Sequence, residues 1–330
     1  LPHKDVRQQI LRLFQERSGQ FVSGVDLSRQ LDVSRAAVWK QIEHLRARGY
    51  QIEAVKARGY RLLKDPDLLT ADEIRARLQT EVIGREVFCF EQTDSTNLQA
   101  LRLAEQGAVD GTILVAEAQA SGKGRLGRLW LSPGGVNLYT SIILRPPIPP
   151  RDAPHLTFLS AVAVVRAIDE VCELSTRVKW PNDILLQGRK VAGLLNELSA
   201  ETDAIHAVVL GIGLNINMTE EQFPSDLRYP ATSLAIAAGQ TFSRLDLACA
   251  LYRQLDELYL AYLRDGFTPI RLAWEACCDL VGQQVRVDCG RQQLSGRVRG
   301  IDNDGALLLQ AANGQTERIL AGDVVPVQGQ

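Results

Sequence analysis

Gly122-Lys-Gly-Arg-Leu-Gly-Arg128 constrains this chain more than any other segment. Gly122, Gly124 and Gly127 have the spacing of a dinucleotide-binding fingerprint, and the strand-like run Thr112–Glu117 precedes them. Such a fingerprint must open a helix and be followed by an acidic residue ~20 positions on. Here Leu129-Trp-Leu-Ser-Pro-Gly-Gly135 is turn chemistry, Asn137–Leu144 reads as a strand, and Arg145-Pro-Pro147 stands near the acidic position. A Walker loop fails too, because Gly124 rather than Ser or Thr follows Lys123. What remains is a glycine-rich loop carrying the cations Lys123, Arg125 and Arg128. Glycines let backbone N–H groups turn toward an anion, and the cations neutralise it. The alternative is a mobile basic surface loop. Trp130 speaks for the anion cradle, since a large ring beside the loop suits a pocket wall better than water.

The runs around this loop predict a mixed architecture. Strand-like stretches fall at Val87–Phe90, Thr112–Glu117, Asn137–Leu144, Ile184–Leu186, Val191–Leu198 and Ala207–Asn217. Helical stretches fall at Asn97–Gln106, Leu156–Cys172 and Leu245–Leu263. Strands often follow one another without an intervening helix, which predicts an α+β layer with much antiparallel pairing. The chain has 330 residues, 45% hydrophobic and 23% charged, about the size of two or three soluble domains. No apolar run reaches the ~18–20 residues of a membrane span, and the first residues carry charge where a signal peptide needs an apolar segment. Six cysteines without a CxxC spacing read as reduced thiols, and four scattered histidines lack zinc-ligand spacing. These features exclude a secreted disulfide scaffold, a membrane protein and a zinc enzyme, and they predict a cytoplasmic location.

Three further segments concentrate polar groups. Asp94-Ser-Thr-Asn97 reads either as a helix N-cap or as a set of donors and acceptors for a ligand, and Gln119 could add an amide. In Val178-Lys-Trp-Pro-Asn-Asp183, the polar residues Lys179, Asn182 and Asp183 interrupt apolar ones. Lys190 then enters the apolar strand Val191-Ala-Gly-Leu-Leu195, either snorkelling or aimed into a site. Leu210-Gly-Ile-Gly-Leu-Asn215 is a strand with two glycines, which weaken a strand unless something approaches closely, such as a flat ring.

The N-terminal fifth differs in charge. Residues 1–65 hold 13 Lys+Arg against 7 Asp+Glu, whereas the rest holds 24 against 32. A basic end on an acidic body suggests a polyanionic partner. Val6, Ile10, Leu13 and Phe14 recur at helical spacing, Val25–Leu31 makes a second short helix, and Asp32-Val33 a tight turn. Ser34 caps a third helix to Arg48, with Val38, Ile42 and Leu45 inward and Arg35, Trp39, Lys40, His44 and Arg46 on the opposite face. Tyr50–Val55 and Tyr60–Leu63 form a hairpin with a basic tip. Three helices plus a hairpin predict a winged helix-turn-helix whose second helix enters the major groove; a trihelical docking module is the alternative. Candidate DNA contacts are Gly24, Ser34, Arg35, Ala36, Trp39, Lys40 and Glu43.

Together, Ser95-Thr96-Asn97, the Gly122–Arg128 loop with Trp130, Lys179-Trp-Pro-Asn-Asp183 with Lys190, and Gly211-Ile-Gly-Leu-Asn215 resemble the biotin–protein ligase family. With the winged helix in front, essentially the whole chain resembles its bifunctional ligase and biotin-operon repressor branch. The resemblance implies three domains. These are a winged helix-turn-helix over 1–66, a ligase domain over 67–276 related to class II aminoacyl-tRNA synthetases, and an SH3-like β-barrel over 277–330. Short strands at Val285–Asp288, Ser295–Arg299, Ala306–Leu309 and Glu317–Leu320, separated by Gly290, Asp304-Gly305 and Asn313-Gly314, agree with the barrel.

The resemblance also implies a reaction. ATP and biotin give biotinyl-5′-AMP, from which biotin passes to a lysine of the biotin carboxyl carrier protein of acetyl-CoA carboxylase; Mg2+ travels with ATP. Carried over by motif, Ser95, Thr96, Asn97, Gln119, Lys123, Gly124, Arg125, Trp130, Lys190, Gly193 and Leu195 would contact biotin. Arg125, Arg128, Gly211, Gly213 and Asn215 would contact the nucleotide, and Lys190, Arg125, Lys179 and Asp183 would serve catalysis, with no protein metal site assigned. Lys123 stands where arginine is common in the family. The adenylate would act as corepressor, promoting a homodimer on the operator of biotin-synthesis genes. A non-catalytic ligand sensor and a lipoate or octanoate ligase are the alternatives.

Overall fold

The computed structural model describes residues 6–17, 19–47, 50–64, 67–200, 205–227, 229–290 and 292–327. The chain divides into two compact units, Leu1–Ala76 and Arg77–Gln330. Asp65-Pro66-Asp67 reads in the sequence as a linker; its residues 65 and 66 lie outside the described residues, and the first unit runs past Asp67 to Ala76, within helix α4, given below.

The first unit contains α1 (Val6–Glu16), α2 (Gly24–Leu31), α3 (Arg35–Ala47) and the antiparallel hairpin β1 (Gln51–Val55) and β2 (Gly59–Lys64). Ile10, Phe14, Leu27, Val38, Ile42 and Leu45 form its buried core with Val22, Tyr50 and Ile52. Ser23 caps α2 by accepting from Asp26 N, and Ser34 accepts from Ala37 N at the start of α3. Between them Asp32 adopts a left-handed conformation (φ 51°) that ends α2 and turns the chain. Residues 18, 48 and 49, where two of the predicted helix ends fall, are outside the described residues.

The polar face of α3 needs one correction. Arg35, Lys40 and His44 are exposed, and Trp39 shows 58% of its surface. Arg46, however, is turned inward. Its guanidinium donates to the Ile52 carbonyl, which ties α3 to the hairpin, and at 2.8 Å to Glu43 of the same helix.

In the second unit a seven-stranded sheet has the order β3–β4–β5–β9–β8–β7–β6. Its strands are β3 (Val87–Thr93), β4 (Thr112–Gln119), β5 (Leu138–Leu144), β6 (Arg177–Lys179), β7 (Asp183–Leu186), β8 (Arg189–Ala200) and β9 (Ile205–Leu214). β3–β4 is parallel; the other pairs are antiparallel, as the succession of strands predicts. The helices are α4 (Ala71–Arg77), which crosses the unit boundary, then α5 (Thr96–Glu105), α6 (His155–Cys172), α7 (Leu234–Ala238), α8 (Arg244–Asp265) and α9 (Thr268–Ala276). Residues on a strand alternate between faces. Ser141, Ile143 and Val209 therefore meet α5, while Thr140 points the other way and hydrogen-bonds Tyr252 of α8 at 2.9 Å.

A second, antiparallel sheet has the order β13–β12–β11–β10–β14. It comprises β10 (Gln284–Asp288), β11 (Gln293–Ile301), β12 (Leu307–Gln310), β13 (Thr316–Ile319) and β14 (Asp323–Pro326). The last strand returns beside the first, as in an SH3-like meander. Valines at 285, 287, 298 and 324 form its buried side. The fold is thus mixed α+β, with a helix-turn-helix in front and an antiparallel sheet behind. Among the described residues no helix is long and apolar enough to cross a membrane.

Candidate active site

Strand register builds the site. On the face of the large sheet that meets α5, Ser141 of β5, Gly211 of β9 and Leu195 of β8 lie in one cross-strand row. The next row is Tyr139, Gly213, Gly193 and Asp183, reaching β7. Beyond the N-terminus of α5 these rows floor a cavity of about 560 Å³. Its walls hold Ser95, Thr96, Asn97, Gln119, Lys123, Gly124, Arg125, Arg128, Trp130, Lys179, Asp183, Lys190, Gly193, Leu195, Gly211, Gly213 and Asn215. Every predicted biotin-, nucleotide- and catalysis-related position therefore meets in one hollow.

The strand glycines serve the protein's own side chains first. A Cβ on Gly213 would lie 2.5 Å from Trp130 Cε2, and one on Gly193 2.8 Å from Trp130 Cζ3. The flat ring that approaches this strand is the indole of Trp130. Its Nε1–H is buried and has no hydrogen-bond partner among the described residues. A Cβ on Gly211 would collide with the amide of Asn97. That amide accepts from Ser141 Oγ (2.6 Å) and donates to the Leu195 carbonyl and to Glu197. Asn97 thus clamps α5 to β5 and β8, and its polar atoms are engaged within the protein. Asn215 is similarly tied to the Thr232 carbonyl and to Asn137.

Ser95 occupies the N-cap position of α5, but its side chain makes no cap bond, unlike the N-cap expectation. Asp94 accepts from the Ser95 N–H at 2.7 Å and pairs with Arg102. Gln119 Oε1 accepts from the Thr96 N–H at 2.9 Å and its amide donates to Ser132.

The glycine loop folds over this floor. Trp130 N donates to Gly122 O and Gly124 N to Arg128 O, closing the loop on itself. Gly122 has no room for a side chain, since a Cβ would lie 2.7 Å from Ser132 Oγ. Leu126 (φ 57°) and Gly127 (φ 73°) take left-handed backbone at the tip, where Leu126 is 81% exposed. Arg125 is half-buried, donates to Asn182 Oδ1 at 3.2 Å, and is pulled below its usual guanidinium value by burial, against the opposing charges of Asp323 and Asp183. Arg128 pairs at 2.7 Å with Asp323 of β14, whose hydrogen bond raises it. The C-terminal sheet therefore anchors the ligand loop.

Lys190 is aimed into the cavity, not snorkelling. Its ammonium lies 2.6 Å from Asp183 Oδ1 and 5.4 Å from the centre of the Trp130 ring. Lys179 sits over the Tyr229 ring at 4.5 Å. Tyr229, Phe223, Met218 and Asp323 line the cavity without a signal strong enough to single them out in the sequence. Asn182 follows a cis Trp180–Pro181 peptide and donates to Leu194 O.

A partly apolar cavity rimmed by cations can hold an organic acid and a phosphate side by side. The biotin/lipoate A/B protein ligase family model matches residues 89–215, a helix-turn-helix (HTH) domain model 6–61, and the biotin protein ligase C-terminal domain model 280–325. The bifunctional ligase/repressor BirA of Bacillus subtilis is 41% identical over 319 residues, covering 97% of this chain and 98% of that protein. The chain belongs to the biotin–protein ligase family. The BirA protein of Escherichia coli is 35% identical over 294 residues, 89% of each chain. The biotin protein ligase of Aquifex aeolicus, solved in complex with biotin and ATP, is 29% identical with a TM-score of 0.63, over 74% of this chain and 100% of that one. The N-terminal helix-turn-helix gives this biotin ligase the domain set of the bifunctional ligase/repressors.

Proposed function

We propose that the chain joins biotin to ATP as biotinyl-5′-AMP beneath the Gly122–Arg128 loop, then transfers biotin to a lysine of the carrier protein of acetyl-CoA carboxylase. The observation that carries this reading is the placement of Lys190, Arg125 and Arg128 around one partly apolar cavity. In the first step a biotin carboxylate oxygen bonds to the α-phosphorus and pyrophosphate leaves. Both reactants are anionic, and fixed cations lower the cost of bringing them together, most at the transition state where charge concentrates. In the second step a neutral carrier amine attacks the acyl carbon, an amide forms, AMP leaves and the amine loses a proton.

Residue roles are those the family motifs carry over, and the shared lining of one cavity supports them. Lys190 exchanges its Asp183 partner for carboxyl or phosphoryl oxygens. Arg125 and Arg128 hold phosphates and order the loop, with Lys123 and Gly124 contributing at its base. Ser95, Thr96 and Gln119 face the ureido ring; Trp130, Gly193 and Leu195 wall the acyl chain. Gly211, Gly213 and Asn215 border the nucleotide, with Lys179 near its phosphates. Mg2+ carried on the polyphosphate would neutralise the leaving pyrophosphate. The boundaries 1–66, 67–276 and 277–330 are the functional divisions of this scheme, and the location is cytoplasmic.

The helix-turn-helix unit, through Gly24, Ser34, Arg35, Ala36, Trp39, Lys40 and Glu43, binds the operator of biotin-synthesis genes. Glu43 acts there chiefly by fixing Arg46. Biotinyl-5′-AMP is the corepressor and promotes a homodimer that spans two half-sites. Mass spectrometry of a biotin carboxyl carrier domain incubated with this chain, biotin and ATP tests the reading: one added biotinyl group is expected. An unmodified carrier would overturn it.

A further inference from the structure

The chain leaving β9 is stitched to the start of β5 by one side chain. Asn137 is fully buried, and its Oδ1 accepts from the Ile216 N–H at 2.8 Å. That bond leaves Nδ2 as the donor, and it points to Asn215 Oδ1 at 3.4 Å and Met218 Sδ at 3.3 Å. The backbone is pinned as well. The Val136 carbonyl accepts from the Asn217 N–H, and Arg244 donates to the Asn137 carbonyl at 3.4 Å while it pairs with Glu117 of β4 at 2.6 Å. Arg244 is itself buried, so Asn137 is held from both ends.

The consequence falls on Asn215. Its Oδ1 accepts from Asn137 and its Nδ2 donates to the Thr232 carbonyl, which fixes the amide in one orientation. One amide hydrogen and one lone pair are left on a flat group that lines the cavity. Such a donor–acceptor pair matches the edge of an adenine base. Met218, the other residue Asn137 reaches, lines the same cavity. We infer that Asn137 is a positioning residue for ATP, which sets the purine subsite by clamping the amide of Asn215 without touching the nucleotide. The inference rests on the placement of the nucleotide beside Asn215 proposed above. Without the clamp the amide can turn over and present its acceptor where the base needs a donor, so only a fraction of the molecules is ready to bind.

Asn137→Asp keeps an acceptor for the Ile216 N–H and replaces the donor toward Asn215 with a second oxygen. In the full chain, biotin-dependent ATP–pyrophosphate exchange should show a KM for ATP raised about tenfold, with kcat and the KM for biotin within about twofold of the parent. Asn215→Ala should raise the KM for ATP at least as far. The double variant should be no worse than Asn215→Ala alone, because the amide on which Asn137 acts is then gone. A merely structural role would raise both KM values together or make the two substitutions multiply. Either result overturns the proposal, as does an unchanged KM for ATP in Asn137→Asp. If that variant fails to fold, Asn137→Ser, too short to reach Asn215, carries the same comparison. A parent-like KM for ATP in Asn215→Ala is a separate result and overturns the nucleotide placement on which the inference rests. Absence of biotin-dependent exchange by the parent chain overturns the proposed function itself.

Discussion

The indole of Trp130 lies on the backbone of Gly213, where a Cβ would come within 2.5 Å of the ring. Gly193, paired with Gly213 across β8 and β9, receives the other edge of the same ring. The wall of the cavity is therefore a side chain from the glycine loop seated in a notch that two strands leave open. Loop and floor are one unit.

Gly213→Ala should unseat Trp130 and weaken biotin binding about tenfold or more while the protein stays folded. Gly211→Ala meets the buried amide of Asn97 instead, so it should cost about 1–3 kcal/mol of stability. Calorimetric titration with biotin and thermal melts of the two variants separate these effects; equal losses in both assays would contradict the distinction.

Lys190→Ala should lower carrier labelling by ~10²-fold or more with an unchanged far-ultraviolet circular dichroism spectrum. Asp183 loses its partner in this variant, but both groups are partly solvated, so the melting temperature should move little. Single-turnover labelling checks the rate.

Arg125→Ala should leave adenylate formation measurable and speed release of the adenylate, because the half-buried guanidinium at the loop base is removed. Arg128→Ala removes an ion pair that is about two-fifths exposed on the arginine side and should do less. Rapid filtration of radiolabelled adenylate gives both release rates.

Trp39→Ala and Lys40→Ala alter exposed side chains of α3 and should spare ligase activity while weakening operator binding. Lys40→Ala should also flatten the salt dependence by about one counterion. Footprinting at several salt concentrations measures this, and lost ligase activity would contradict the division of labour.

His155 is stacked on Phe267 at 3.9 Å and bonded to Tyr262 and the Asn303 carbonyl; burial holds it below the usual histidine value. The unfolded chain therefore binds this proton more readily. The resulting stability is present above the ordinary value of about 6.5 and is lost as pH falls through the depressed one. Melting curves from pH 7.5 to 5 should show a steeper acid loss for the parent than for His155→Gln.

Much of this was legible from chemistry that acts locally. The Ser34 cap, the inward Val38, Ile42 and Leu45, and the turn nature of residues 129–135 depend on near neighbours. Lys190 entering an apolar strand left snorkelling and a site role both open, and it was the resemblance to the ligase family, not the strand, that assigned it to the site. What the sequence hid depends on register. Nothing near Asp183 announces that it aligns with Gly193 and Gly213, and nothing in Ala321–Val325 marks a strand that brings Asp323 to Arg128. The glycines of β9 were readable as a sign of close approach, but not the identity of the approaching groups, which are Asn97 and Trp130. Arg46 likewise looked like part of a solvent face until the hairpin folded under it.

The most direct measurement is a crystal structure of the chain grown with biotin and a non-hydrolysable ATP analogue. Electron density for both molecules is expected beneath residues 122–130, with Lys190 withdrawn from Asp183 toward the carboxylate and α-phosphate. Density for either molecule outside that hollow, with the Lys190–Asp183 pair intact, would contradict the account.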